Sequence, residues 1–239
     1  MQTANLADRR RRKLTGALLI AAMLVAVAIS VSEQTPRPPT DRQIAALDGA
    51  LLAGIPQRGT TLGAAGAPVT VIYFGDLECP VCRDFTLAGG FPQLVAREVR
   101  QGEVKVVYRS LCTATCDGPG QAVFDTQQVA AYAAGAQNLF WYFAELFYRE
   151  QGPEDSGYVT ESYLDRLAAQ VPGLQLSTWR ADRGDPALPA QVRADGVAAA
   201  RRGIDGTPTL LVTGPKGTRT VAATVPSYPE IEQSIAQVS

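Results

Sequence analysis

The chain has 239 residues, 46% of them hydrophobic and 19% charged, with a formal net charge of −1 and no histidine. This composition supports one good-sized folded core with appendages and excludes a disordered chain. Without imidazole, Ser-His-Asp and Cys-His nucleophiles, histidine-liganded zinc or copper and a histidine pH switch are all excluded.

Arg9, Arg10, Arg11, Arg12 and Lys13 stand together and are followed by 18 residues without a charge, Leu14 to Val31. A helix of that length reaches about 27 Å, close to the hydrocarbon thickness of a bilayer. Residues 1–31 are therefore predicted to be a cytoplasmic basic flank and a single-pass membrane anchor. The positive-inside rule sends everything after Val31 out of the cytoplasm. A cleaved signal peptide is the alternative, because Ala26-x-Ala28 and Ala28-x-Ser30 are small-x-small patterns, but the apolar run is longer than the usual h-region. Residues 32–239 hold 17 of the 22 basic and 22 of the 23 acidic side chains. That balance of about −5 argues against nucleic acid as a partner.

Residues 32–56 read as a tether and a short helix: Pro36, Pro38 and Pro39 favour an extended chain, and Ile44, Leu47, Leu51 and Ile55 recur at helical spacing. Val69 to Gly75 is a β-branched and aromatic run with little alternation, which suits a strand buried on both faces. Cys82 to Arg100 reads as a helix interrupted near Gly89, Gly90, Phe91 and Pro92, and Val104 to Arg109 as a second strand, parallel to the first. A mostly helical insertion follows at about 118–203, with aromatic residues at Phe140, Trp141, Tyr142, Phe143, Phe147 and Tyr148 that are expected in the core. Thr209 to Thr213 and Thr218 to Thr224 form a hairpin about the Gly214 to Gly217 turn, and a last helix from about Pro229 presents Ile231, Ile235 and Val238.

The four cysteines form two close pairs. Cys79-Pro80-Val81-Cys82 lies where the first strand gives way to a helix. There, free backbone N–H groups and the helix dipole favour a Cys79 thiolate, Pro80 suits the first turn, and Cys82 sits about one turn on, in reach of a mixed disulfide. A zinc site built with Cys112 and Cys116, and an inert crosslink, are the competing readings. Cys112-Thr-Ala-Thr-Cys116 lies in a loop with Gly118, Pro119 and Gly120, where a local structural disulfide is the first expectation and a second redox-active pair the next.

Leu77-Glu-Cys-Pro-Val-Cys-Arg83 after an apolar strand, then a helical insertion, then Gly206-Thr-Pro-Thr209 leading into a hairpin, resembles the DsbA-like thiol:disulfide oxidoreductases of the thioredoxin superfamily over about residues 57–239. The resemblance implies a thioredoxin-like α/β fold. It also implies that Pro208 is cis and that Thr207 offers its backbone to a substrate strand beside the cysteines. Pro-Val between the cysteines, rather than Pro-His, implies a weaker oxidant than the strongest members. Tyr73 stands where some relatives carry a buried acid. Asp76 or Glu78 are the candidate substitutes for its proton relay, although solvated loop carboxylates are the commoner outcome.

The resulting expectation is a monomeric, membrane-anchored oxidase acting on thiols of exported proteins, with no bound cofactor or metal. The resemblance further implies a quinone-linked membrane reoxidase of the DsbB or vitamin K epoxide reductase type. A reductase for cytochrome maturation or repair, and a non-catalytic metal- or thiol-binding module, are the alternatives. The oxidase is favoured by the large insertion and the lack of an evident dimerisation arm.

Overall fold

A computed structural model describes residues 50–113 and 120–239. The expected anchor at 1–31, most of the 32–56 tether and Cys116 lie outside the described residues. Among the described residues, no helix is long and apolar enough to cross a membrane.

One six-stranded sheet organises the fold, in the order β1-β2-β4-β3-β5-β6. Its centre is β3 (Val69–Gly75), parallel to β4 (Val104–Ser110), with Val71 opposite Val106 and Tyr73 opposite Tyr108. On the other side β5 (Thr209–Gly214) runs antiparallel to β3 and turns into β6 (Gly217–Val221). The two-residue strands β1 (Gln57–Arg58) and β2 (Thr61–Leu62) extend the β4 side. Side chains alternate across a strand, so Val69, Val71 and Tyr73 enter the main core while Phe74 joins Leu111, Ala199, Ile204 and Leu211 in a smaller cluster.

After β3 the chain forms α1 (Pro80–Leu87), then a second helical segment, α2 (Phe91–Leu94), that passes into a π turn at Val95–Val99. The interruption has a steric cause. A Cβ on Gly90 would lie 2.8 Å from the Pro226 carbonyl oxygen, and the Gly90 N–H donates to that oxygen at 2.9 Å. The insertion comprises five helices among the described residues: α3 (Gly120–Ala136), α4 (Phe140–Arg149), α5 (Glu161–Gln170), α6 (Leu176–Asp182) and α7 (Ala187–Ala200). Left-handed residues at Asn138 (φ 61°) and Gly173 (φ 82°) turn the chain between them. The aromatic patch is core: Phe140, Trp141, Phe143, Phe147 and Tyr148 are buried, and Trp141 stacks on Phe91 with ring centroids 5.1 Å apart.

The insertion is tied to the sheet by a buried carboxylate. Asp195 on α7 accepts from Tyr132 Oη, from Arg109 Nη1 at 2.6 Å, from Gln191 Nε2 at 2.8 Å and from the Ser110 N–H at 3.2 Å. A charge with no solvent exposure is tolerable only with partners of this number. The chain closes with α8 (Tyr228–Val238), begun by a capping box in which the Ser227 N–H donates to Glu230 Oε2 at 2.8 Å.

Candidate active site

The site forms where β3 leaves the sheet. Gly75 is required there because a Cβ would meet the Tyr108 ring at 2.8 Å and the Tyr73 ring at 3.0 Å. Asp76, Leu77 and Glu78 then lead to Cys79, which caps the N-terminus of α1 in an extended conformation (φ −67°, ψ 118°) with Pro80 in the first turn. The Cys82 N–H donates to Cys79 Sγ at 3.4 Å. Both thiols are free, Cys79 6% exposed and Cys82 wholly buried.

This position separates two chemically identical groups. The Cys79 thiol is lowered from 9.0 to about 6, chiefly by the hydrogen bond from the Cys82 side chain, with Thr207 and the N–H groups of Cys82 and Val81 adding to it against the opposing effect of burial. Cys82 is pushed well above 9.0 by burial and by Cys79 beside it. At neutral pH the two shifts favour an anion at Cys79 and a protonated thiol at the more deeply buried Cys82.

Thr207 and Pro208 arrive from the loop before β5. Their peptide bond is cis, and the Cys79 thiol faces the Thr207 carbonyl oxygen at 3.7 Å. A shallow cleft of about 360 Å³ opens beside them, lined by Val81, Gly206, Thr207, Pro208, Thr220 and Ala222 among others. Thr207 is half-buried in its wall.

Asp76 and Glu78 are not solvated loop carboxylates: they are 0% and 1% exposed. Asp76 Oδ1 accepts from the Glu78 N–H at 3.0 Å and from Gln127 Nε2 at 3.2 Å, and Oδ2 accepts from the Thr113 N–H at 3.2 Å. It is the knot between the active-site loop, α3 and the segment after β4. Glu78 keeps its carboxyl proton up to about pH 7, raised by burial and then by the carboxylates of Asp76, Asp155 and Glu154. Its Oε2 finds no hydrogen-bond partner among the described residues.

Tyr73 fills the position below the cysteines, where its hydroxyl meets the Cys82 carbonyl oxygen at 3.4 Å, Thr86 Oγ1 at 3.2 Å and Tyr148 Oη at 3.3 Å. Burial holds its phenol well above the ordinary value, so it stays neutral and fastens rather than carries charge.

The sequence reading missed the clamp that the insertion places on this loop. Gln151 Nε2 donates to the Leu77 carbonyl at 2.7 Å and to the Cys79 carbonyl at 3.2 Å, while Tyr148 Oη donates to the Asp76 carbonyl at 3.3 Å. No sequence signal marks Gln151, which follows α4 and lies more than 70 residues away in the chain.

Cys112 is disulfide-bonded, so its sulfur is not a thiolate available to a four-cysteine zinc site. Its expected partner, Cys116, lies outside the described residues.

A low-titrating thiol at a helix N-terminus, a buried second thiol beside it and a cis-proline loop against them can together carry out thiol–disulfide exchange. The family model described as thioredoxin matches residues 57–224. Disulfide bond formation protein D of Bacillus subtilis (strain 168) is 26% identical over 174 residues, which are 73% of this chain and 74% of that protein. Oxidised BdbD from Bacillus subtilis shares the fold with a TM-score of 0.63 at 24% identity, covering 77% of this chain and 96% of that one. Chlamydia trachomatis DsbA does so with a TM-score of 0.62 at 18% identity, covering 74% and 90%. The chain belongs to the thioredoxin family, and within it to the DsbA-like thiol:disulfide oxidoreductases.

Proposed function

We propose that this chain introduces disulfides into exported proteins, as an oxidase held outside the cytoplasm, with Cys79 as nucleophile and Cys82 as its redox partner. The opposed thiols carry this reading: Cys79 is lowered to about 6 and Cys82 is raised. A thiolate stabilised in the reduced enzyme makes its disulfide ready to accept electrons.

In the forward reaction a substrate thiolate attacks Cys79 Sγ and the Cys79–Cys82 bond breaks. The departing Cys82 thiolate takes up a proton, which its raised affinity favours. A second substrate thiolate attacks the substrate sulfur of the mixed disulfide and expels Cys79 as a stabilised thiolate. Two electrons have then passed from substrate to enzyme. Thr207 and Pro208 hold the substrate strand, and the Pro80-Val81 dipeptide sets α1 without adding a charged donor. Glu78, which exchanges its proton near neutrality, is suited to relay protons for the thiols, while Asp76 fixes the loop that carries it.

Reoxidation falls to a quinone-linked membrane partner of the DsbB or vitamin K epoxide reductase type. Residues 1–31 anchor the chain, residues 32–56 tether it, and residues 57–239 form the catalytic domain with its insertion. The name of the Bacillus subtilis relative, disulfide bond formation protein D, supports the oxidising direction.

The test is the reduction potential of the Cys79–Cys82 pair, measured by equilibration with glutathione, together with oxidation of a reduced unfolded protein. A potential above about −200 mV with net oxidation supports the oxidase. A value near that of thioredoxin, about −270 mV, transfers the chain to the reductase reading.

A further inference from the structure

We propose that the cleft between the β1–β2 hairpin, α3 and α7 binds a small monocarboxylic acid, its carboxylate held by Arg58 and Arg109 and its hydrocarbon laid on Val107 and Leu188. The inference stands apart from the cysteine chemistry, because this cleft and the one beside Thr207 share no lining residue.

The cleft has a volume of about 430 Å³, within the range of small-molecule sites. Strand register brings its two cations together. Arg58 on β1 stands opposite Thr61 on β2, and Thr61 stands opposite Val107 on β4, so the three form one row on one face of the sheet. Arg109 lies two residues further along β4 and therefore on the same face. A strand spacing of about 4.8 Å and a rise of about 3.4 Å per residue put the two arginine backbones roughly 12 Å apart. From that span two side chains as long as arginine converge on one group between them. Gly135 lets α3 close the cleft, since a Cβ there would lie 3.3 Å from the carbonyl carbon and oxygen of Gly59.

The charges around the cleft do not balance. Both guanidiniums line it and no carboxylate does. Asp195, buried behind Arg109, accepts from Arg109 Nη1 at 2.6 Å, and its oxygens also accept from Tyr132 Oη, Gln191 Nε2 and the Ser110 N–H. That carboxylate answers one guanidinium. Arg58 makes no hydrogen bond or ion pair with any described residue, and Arg109 keeps its Nε and Nη2 donors. Two arginines against one aspartate leave a single positive charge, which one carboxylate neutralises. The planar fork of Arg58 matches the two oxygens of that group. The apolar walls from Val107, Ala136 and Leu188 favour an organic acid over an inorganic ion.

Benzoate is the probe, with benzamide as its uncharged counterpart of the same shape. Binding to the full-length protein is read by calorimetry and by the rise in melting temperature that a ligand of the folded state produces. Benzoate should saturate with a Kd of about 1 mM or tighter, and benzamide should bind at least about tenfold more weakly. Arg58→Gln should weaken benzoate at least about tenfold and remove the rise in melting temperature, while thiol–disulfide exchange keeps the parent rate. Arg58→Lys, which keeps the charge without the fork, should weaken benzoate by about threefold or more, and it carries the test if the glutamine variant fails to fold. Benzoate that does not saturate, benzamide that binds as tightly as benzoate, or parent affinity in either Arg58 variant overturns the proposal.

Discussion

Replacing Cys82 by alanine tests where the reactivity of Cys79 originates. The largest influence lowering the Cys79 thiol to about 6 is the hydrogen bond from the Cys82 side chain, ahead of Thr207 and the backbone N–H groups of Cys82 and Val81. With a midpoint of 6, about nine tenths of Cys79 is thiolate at pH 7, against about one hundredth for a thiol at 9.0. A hydrogen bond to a charged group contributes about 1.5–3 kcal/mol, which corresponds to about one to two pH units of midpoint. Cys82→Ala should therefore titrate between about 7 and 8, with half to a tenth of Cys79 ionised at pH 7. Cys82→Ser retains an O–H donor at the same place and should remain near the parent. The assay is thiolate absorbance against pH, paired with the pH dependence of iodoacetamide alkylation. An alanine variant that still titrates near 6, or a serine variant that matches alanine, refutes the thiol donor and assigns the effect to the helix N-terminus alone.

The same thiol makes the stability of the reduced protein depend on pH. Cys79 titrates near 6 when folded and near 9.0 when unfolded, so between those values the unfolded chain binds more protons and stability rises with pH. The contribution is complete above 9 and is lost as pH falls through 6; the raised Cys82 thiol opposes it only above 9. Denaturant melts of the reduced protein should show this slope, and melts of the oxidised protein or of Cys79→Ala should lack it. Glu78→Gln should remove an inflection near pH 7 from the exchange rate while leaving rates well below that pH unchanged, because the parent carboxyl is already protonated there. Stopped-flow reduction by a small dithiol reads it, and a persistent inflection assigns the proton transfer elsewhere. Asp195→Ala should destabilise the fold by about 3 kcal/mol, since it strands Arg109, Tyr132 and the Ser110 N–H around an emptied site. Urea unfolding measures it, and a loss below about 1 kcal/mol contradicts the buried network.

What the chain reveals before folding depends on how local the cause is. Val69 to Gly75 announces a buried strand because its apolar run is continuous, and Cys79-Pro80-Val81-Cys82 announces a helix start because capping chemistry is written within a few residues. Strands β1 and β2, two residues each, are too short to carry any period. The burial of Asp76 and Glu78 was hidden for a different reason. A carboxylate in a turn is ordinarily solvated, and what removes water here comes from Thr113, Gln127, Tyr148 and Gln151, between 37 and 74 residues distant in sequence. Those residues divide the labour of the site. The thioredoxin-like core supplies Cys79 and Thr207, whereas α3, α4 and Gln151 just beyond α4 grip the carbonyls and carboxylate of the loop between them. Three side chains, Gln127, Tyr148 and Gln151, and the Thr113 N–H thus donate to this one short loop. The insertion therefore bears on the chemistry by bracing the loop that carries Cys79, whose sulfur accepts from the Cys82 N–H at 3.4 Å.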